Sequence, residues 1–162
     1  MKKNETAVYV ILGSKSDTEY AQAAMKVLES FGVSAKLWIA SAHRSPQWLE
    51  KVLRQGEAAD VSIYICAAGG AAHLPGVVAA RVLKPVIGVG IPTKYLGGVD
   101  SLLSIVGMPS GVPVATMSLG ETGMKNAAYF ALEILALGDK NLLKRLHAFR
   151  EQQALEVQNT NQ

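Results

Sequence analysis

The sequence predicts a single α/β domain with three layers, in which helices cover both faces of a five-stranded parallel sheet. Five apolar runs of strand length alternate with segments of helical period, which is the pattern of right-handed βαβ crossovers. The runs are almost continuously apolar, as expected for strands that are buried on both faces. A more polar helical segment follows the last of these helices, so an extra C-terminal helix is expected.

The first strand and the first helix are predicted from neighbouring segments. Residues 7–13, AVYVILG, form an apolar run rich in β-branched residues, which favours a strand. Residues 16–32 carry one apolar stripe at helical spacing. Ser16 and Glu19 have the spacing of a capping box, and Gly32 is placed to end the helix.

The second and third strands are predicted on either side of a second helix. The strands are expected over 34–40, SAKLWIA, and over 60–68, DVSIYICAA. Between them, Ser45 followed by Pro46 is typical of an N-cap and a first-turn proline, and this helix is expected to end near Gly56. Such a crossover joins parallel neighbours, so these strands are expected to run in the same direction.

Two more helices and two more strands are predicted next. A helix is predicted at 73–83 and the fourth strand at 85–90. A loop then leads to a short helix at 99–106, and the fifth strand is predicted at 112–118. Five parallel strands with helical crossovers predict a flavodoxin-like sheet.

Two helices complete the predicted fold. Residues 126–137 are nearly all apolar, Gly138 interrupts them, and Asp139 is placed to cap a final helix that reaches about Val157. This helix has more apolar residues than a surface helix of a single domain requires, which predicts a homo-oligomer. The prediction is one domain over 1–162, with a core of about 7–137, a C-terminal helix of about 139–157 and a frayed end at 158–162.

Composition and charge narrow the class of protein. The chain has 162 residues, 49% of them hydrophobic and 18% charged, and a formal net charge of +3. This mild excess without a basic cluster argues against nucleic-acid binding. The lone cysteine, Cys66, lies in an apolar run, and no signal-peptide-length apolar segment precedes the first strand, so a cytoplasmic location is expected. The uncharged stretches 61–80 and 101–120 contain glycine and proline, which disfavours a membrane span.

The loops after the strands are expected to form the functional site, since ligands of parallel α/β sheets bind outside the carboxyl ends of the strands. The unusual polar residues are concentrated in the first three of these loops. The five segments are GSKSD (13–17), SAHRSP (41–46), AAGGAAH (67–73), GIPTKYLGG (90–98) and SLGETG (118–123).

The segment GSKSD favours binding of a ribose phosphate. Gly13 would allow a sharp turn, and Ser14, Ser16 and the amides at the helix start can donate to an anion. Asp17 would repel a phosphate and fits better as an acceptor for ribose hydroxyls. The alternative is that Ser16 and Asp17 only cap the helix.

The segments SAHRSP and AAGGAAH add two histidines and an arginine. Arg44 offers a fork of donors for phosphate oxygens, and the neighbouring His43 can titrate near neutral pH. A packed histidine is the alternative for His43. In the third loop, Gly69 and Gly70 with their alanines would let a ligand approach the main chain, or would serve tight helix packing. His73 is either a ligand contact or a helix-start residue.

No cofactor or metal is predicted. The histidines and the cysteine lie in separate segments without a recognised ligand spacing. The dinucleotide-binding pattern G-x-G-x-x-G and the P-loop pattern are both absent from the sequence.

Four motifs together closely resemble the class I N5-carboxyaminoimidazole ribonucleotide mutases of bacterial purine biosynthesis. They are GSKSD, SAHRSP, GGAAHLPG and GVDSLLSIVGMPSGVPV, and the resemblance extends from about residue 7 to 150. It implies a ribonucleotide substrate that carries an aminoimidazole carbamate, and a product with the carboxylate on ring carbon C4. It also implies a homo-octamer and, upstream, an ATP-dependent synthetase that forms the carbamate. Class II enzymes, which carboxylate aminoimidazole ribonucleotide directly with CO2, have a different pattern at Arg44 and at GGAAHLPG.

The resemblance also implies residue roles. His43 would be the general acid–base, Ser41 would hold the ligand or the histidine, and the AAGGAAH segment would form the carboxylate or CO2 pocket. No role is implied for Lys94 or Tyr95. The implied substrate-binding residues are Gly13, Ser14, Ser16, Asp17, Ser41, Arg44, Ala68, Gly69, Gly70, His73 and Leu74.

Two other classes are compatible with the fold. A flavodoxin-like module could bind a phosphorylated cofactor without catalysis, and a bound flavin would make it yellow. A receiver-type signalling domain would need an acidic cluster after the first strand, where only Asp17 is present.

Overall fold

The computed structural model describes residues 6–160. Five parallel strands form one sheet in the order β2-β1-β3-β4-β5, so the flavodoxin-like prediction is confirmed. The strands are β1 (Val8–Leu12), β2 (Ala35–Ile39), β3 (Ile63–Gly69), β4 (Val86–Ile91) and β5 (Ala115–Thr116). The helices are α1 (Thr18–Ser30), α2 (Pro46–Ala58), α3 (Leu74–Ala79), α4 (Val99–Val106), α5 (Gly120–Ala136) and α6 (Lys140–Asn159).

The sheet separates two hydrophobic cores because successive side chains of a strand point to opposite faces. In β1, Val8, Val10 and Leu12 pack with α1, α5 and α6. Tyr9 and Ile11 pack on the other face with α2, α3 and α4. All five of these side chains are buried, which accounts for the continuous apolar runs in the sequence.

The helix α5 is enclosed mainly by its own chain. Met124 and Leu132 are fully buried in the core beneath it. Phe149 of α6 stacks on Tyr129 with ring centroids 4.9 Å apart, and meets Phe31 edge to face at 5.7 Å. The apolar character of α5 therefore does not by itself require a partner chain.

Both predicted N-caps in the first half of the chain differ in the structure. A 3₁₀ turn, Lys15–Asp17, precedes α1, and the side chain that caps it is Ser14 rather than Ser16. The capping box is therefore wrong, because α1 begins only at Thr18. Ser45 precedes Pro46 as predicted but makes no side-chain capping bond; its hydroxyl instead bonds Ser41, accepting from N at 3.1 Å and lying 3.3 Å from O.

Several element boundaries also differ. Helix α5 begins at Gly120, six residues before the predicted start, and α3 ends at Ala79 rather than 83. A side chain on Gly123 would collide with the carbonyl oxygen of Ser118, so this glycine lets α5 start close against the preceding turn. Gly32 and Asp139 confirm their predicted roles, with Gly32 at φ 61 and the Asp139 carboxylate accepting from the N–H groups of Asn141 and Leu142.

The C-terminal helix continues slightly beyond its predicted end. Helix α6 reaches Asn159, so the expected fraying is wrong for residues 158 and 159, while residues 161–162 lie outside the described part of the chain. Within residues 6–160, no helix is both long enough and apolar enough to cross a membrane.

Candidate active site

The carboxyl ends of β1, β2 and β3 meet at one edge of the sheet and surround a cleft of about 380 Å³. All the predicted site residues except Gly70 and His73 line it. Gly70 stands between the lining residues Gly69 and Ala71, and His73 contacts the lining residue His43. The lining residues are Gly13, Ser14, Ser16, Asp17, Ser41, Ala42, His43, Arg44, Ala68, Gly69, Ala71, Leu74, Ile91 and Pro92.

The turn after β1 gathers two hydroxyls and one carboxylate. The Ser16 hydroxyl lies 2.9 Å from the Ser14 hydroxyl and 2.9 Å from Oδ1 of Asp17. Ser14 also accepts a bond from the backbone N–H of Ser16 at 3.3 Å. Asp17 is buried, with 8% of its surface exposed. The 3₁₀ turn thus presents a compact donor–acceptor group to the cleft.

The turn expected at Gly13 does not require a glycine. Gly13 does not have a positive φ, so the turn does not depend on it. A Cβ at this position would lie 3.6 Å from the Cβ of Ala68 and 4.0 Å from Leu74, and both residues line the cleft. These are ordinary contact distances, so neither strain nor a clash requires glycine at this position.

Arg44 joins the loops after β1 and β2. Its Nη2 donates to the carbonyl oxygen of Gly13 at 2.8 Å, and its backbone N–H donates to the Ser41 hydroxyl at 3.1 Å. Its Nε lies 3.4 Å from the same hydroxyl. The guanidinium has five N–H donors, so it keeps donors for an anion while being held beside the serine cluster.

His43 and His73 form a direct pair. Nε2 of His43 lies 2.9 Å from Nδ1 of His73, and the rings meet edge to face with centroids 5.0 Å apart. A single proton bridges these nitrogens, so one ring donates and the other accepts. His73 is the residue before α3, but its side chain makes no capping bond. Its contact is with the other histidine.

The third loop turns at Gly70. Gly70 has φ 67, a conformation that disfavours residues with a side chain. Its N–H donates to the hydroxyl of Ser101 at 2.8 Å. Gly69 and Ala71 on either side line the cleft. The Ser104 hydroxyl also lies 3.3 Å from the carbonyl oxygen of Gly70, so this turned segment both forms the cleft wall and contacts helix α4.

The structure adds residues that sequence reasoning missed. Ala42, Ala71, Ile91 and Pro92 line the cleft. Ala42 and Ala71 lie inside motifs that were identified. Ile91 is the last residue of β4 and Pro92 follows it, so the strand-end rule already pointed to this place. Lys94 and Tyr95, further along the same loop, are exposed and do not line the cleft.

Comparison with known proteins agrees with this geometry. The model of the AIR carboxylase family matches residues 7–156. The chain belongs to the AIR carboxylase family. Its relatives include proteins named N5-carboxyaminoimidazole ribonucleotide mutase. The one from Saccharolobus solfataricus is 46% identical, with 94% of this chain and 96% of the relative aligned. The one from Escherichia coli K12 is 44% identical, over 96% and 92%.

A solved structure with a related sequence has the same fold. The crystal structure of Treponema denticola PurE superposes with a TM-score of 0.86 at 30% identity, covering 94% of each chain. The family predicted from the four motifs is therefore confirmed, and the fold places the first three of those motifs around one cleft.

Proposed function

We propose that this chain is an N5-carboxyaminoimidazole ribonucleotide mutase of purine biosynthesis, which moves the carboxylate from the exocyclic nitrogen to C4. The observation that carries the proposal is the place of His43 in the cleft. It lines the same cleft as the serine and arginine groups of the first two loops and the glycine wall of the third. Relatives that are 44–46% identical over nearly the whole chain carry the same name.

The first two loops bind the ribose phosphate. Ser14, Ser16 and the free donors of Arg44 contact the phosphate, because hydroxyls and a guanidinium fork match its oxygens. Asp17 accepts hydrogen bonds from the ribose hydroxyls, a position in which its carboxylate is kept away from the negatively charged phosphate. Ser41 holds Arg44 through its hydroxyl, so it supports the phosphate contact.

His43 transfers the protons of the reaction. It donates a proton to the carbamate nitrogen, the N–C bond breaks with its electron pair remaining on nitrogen, and CO2 leaves. The electron-rich ring then attacks CO2 through C4, and His43 removes the C4 proton, so the sum is an isomerisation. His73 fixes which nitrogen of His43 carries the proton through their 2.9 Å contact. The wall from Ala68 to Ala71, with Leu74, retains the CO2.

The wider context of the enzyme follows from the resemblance. We propose a homo-octamer, and the exposed apolar side chains Val99, Leu103 and Val106 of α4 provide a surface for association. The carbamate substrate requires an ATP-dependent synthetase upstream. The enzyme acts in the cytoplasm, where its single buried thiol, Cys66, remains reduced.

The test is formation of 4-carboxy-5-aminoimidazole ribonucleotide from freshly prepared carbamate, with and without bicarbonate. Conversion of the carbamate without added bicarbonate supports a mutase. Product formed only from aminoimidazole ribonucleotide and bicarbonate would contradict it and indicate a direct carboxylase. A bound flavin absorbs visible light near roughly 450 nm. Such an absorbance band in the purified protein would indicate a cofactor-binding module instead.

A further inference from the structure

A buried hydroxyl lies between the ends of β3 and β4. Ser101, in the first turn of α4, is fully buried. Its Oγ accepts a bond from the N–H of Gly70 at 2.8 Å and donates to the carbonyl oxygen of Ile91 at 2.8 Å. One side chain thus satisfies a donor of the third loop and an acceptor of the fourth strand.

The sheet register shows which bond this hydroxyl replaces. Tyr64 pairs with Val86, and the N–H of Tyr64 donates to Pro85 O. In a parallel ladder such bonds recur every second residue. Continued along β3, the same ladder would have Gly70 N–H donate directly to Ile91 O. The Ser101 hydroxyl is inserted at that position, so the strands separate there by the width of one hydroxyl group.

This separation coincides with the wall of the cleft. Gly70 leaves the strand direction at φ 67, and its neighbours Gly69 and Ala71 line the cleft together with Ile91. The approach of Ser101 depends on Gly90, where a Cβ would lie 3.2 Å from the Cβ of Ser101. Two elements of the chain are therefore shaped around the inserted hydroxyl.

We propose that Ser101 is a positioning residue, which sets the shape of the carboxylate and CO2 pocket by holding the ends of β3 and β4 apart. The inference rests on the proposed mutase function. Without the hydroxyl, Gly70 N–H and Ile91 O can bond directly, which moves Gly69 and Ala71 relative to His43. A pocket altered in this way still binds the ribose phosphate but retains CO2 less well.

The experiment measures, in Ser101→Ala and in the parent enzyme, how much of the substrate carboxylate is released and how much reaches C4. With carbamate labelled in its carboxyl carbon, we expect the ratio of released label to label in the C4 carboxylate to rise by about tenfold, equivalent to about 1.4 kcal/mol. The KM for the nucleotide should stay within about threefold, since the phosphate contacts are intact. Ser30→Ala is the matched control, because the Ser30 hydroxyl donates to Val27 O in its own helix, at 2.7 Å, and does not line the cleft.

The outcomes separate the two proposals. If the parent enzyme makes product and Ser101→Ala has the same release ratio, the role of Ser101 is overturned and the mutase function is not. A parent that makes no product overturns the mutase function. Amide hydrogen exchange of the parent tests the bridge in either case: the Gly70 N–H should exchange much more slowly than the exposed Ala71 N–H, and equal rates would overturn the bridge.

Discussion

Replacement of His43 by asparagine should separate binding from chemistry. Asparagine keeps roughly the size of the side chain and a hydrogen-bonding group, but it cannot exchange a proton near neutral pH. His43→Asn should therefore fold and bind the ribonucleotide with near-normal affinity. Its side chain is exposed at the edge of the cleft, so the substitution leaves no cavity in either core.

The expected loss of interconversion rate differs between substitutions of the two histidines. A positioned acid–base contributes about 10²–10⁴-fold, so interconversion should fall at least about 10²-fold in His43→Asn. His73 acts through one hydrogen bond of 2.9 Å, which is worth about 0.5–1.5 kcal/mol. That corresponds to a loss of about 2- to 13-fold in His73→Asn. The two variants should thus differ by about tenfold or more.

The assay follows exchange of the C4 proton of bound aminoimidazole ribonucleotide in deuterated water. This exchange needs the base but no carboxylate, so it isolates the proton transfer from CO2 retention. Exchange should fall at least about 10²-fold in His43→Asn and only about 2- to 13-fold in His73→Asn. Parent-like exchange in His43→Asn would refute the assignment of His43 as the base, and His73 would become the candidate.

Three further predictions concern binding, association and pH. Arg44→Ala should raise KM by about 10- to 100-fold, the contribution of a hydrogen bond to a charged group, with kcat nearly unchanged. If the parent enzyme bound the nucleoside as tightly as the nucleotide, this anchoring role would be contradicted. Leu103→Glu places a charge on the exposed face of α4 and should reduce the mass found by light scattering while circular dichroism stays unchanged; an unchanged mass would exclude this face. Burial raises the pKa of Tyr64 to about 12, so the neutral form is favoured in the fold and stability should fall as pH rises from about 10 towards 12. Urea unfolding at pH 9 and 11 measures this, and Tyr64→Phe should lessen the difference.

The fold could be predicted because its main signals are local. Buried parallel strands give apolar runs, and helices between them give a periodic stripe, so order and class follow from the sequence. The start of α5 could not be predicted in this way. The segment SLGETG looks like a loop because of its glycines, yet Gly120 and Gly123 begin the helix; their role depends on contact with Pro92 and Ser118, which are distant or non-helical neighbours.

The members of the site could be predicted better than their contacts. The strand-end rule gathers the three loops at one edge whatever the register, so most cleft residues follow from it. The contact between His43 and His73 joins two loops 30 residues apart and depends on side-chain directions that no spacing specifies. Sequence reasoning therefore predicted both histidines but not the pair that they form.

The role of Ser101 shows the limit most clearly. Its hydroxyl matters only because Gly70 N–H and Ile91 O would be donor and acceptor of the next bond in the β3–β4 ladder. The predicted third strand began three residues before Ile63 and ended one residue before Gly69. A shift of one residue in register moves every side chain of a strand to the opposite face of the sheet and changes which backbone groups pair. Boundaries known to within a few residues therefore suffice to name the loop that forms the pocket. They do not suffice to find the buried hydroxyl that holds its ends apart, and this requires the hydrogen bonds themselves.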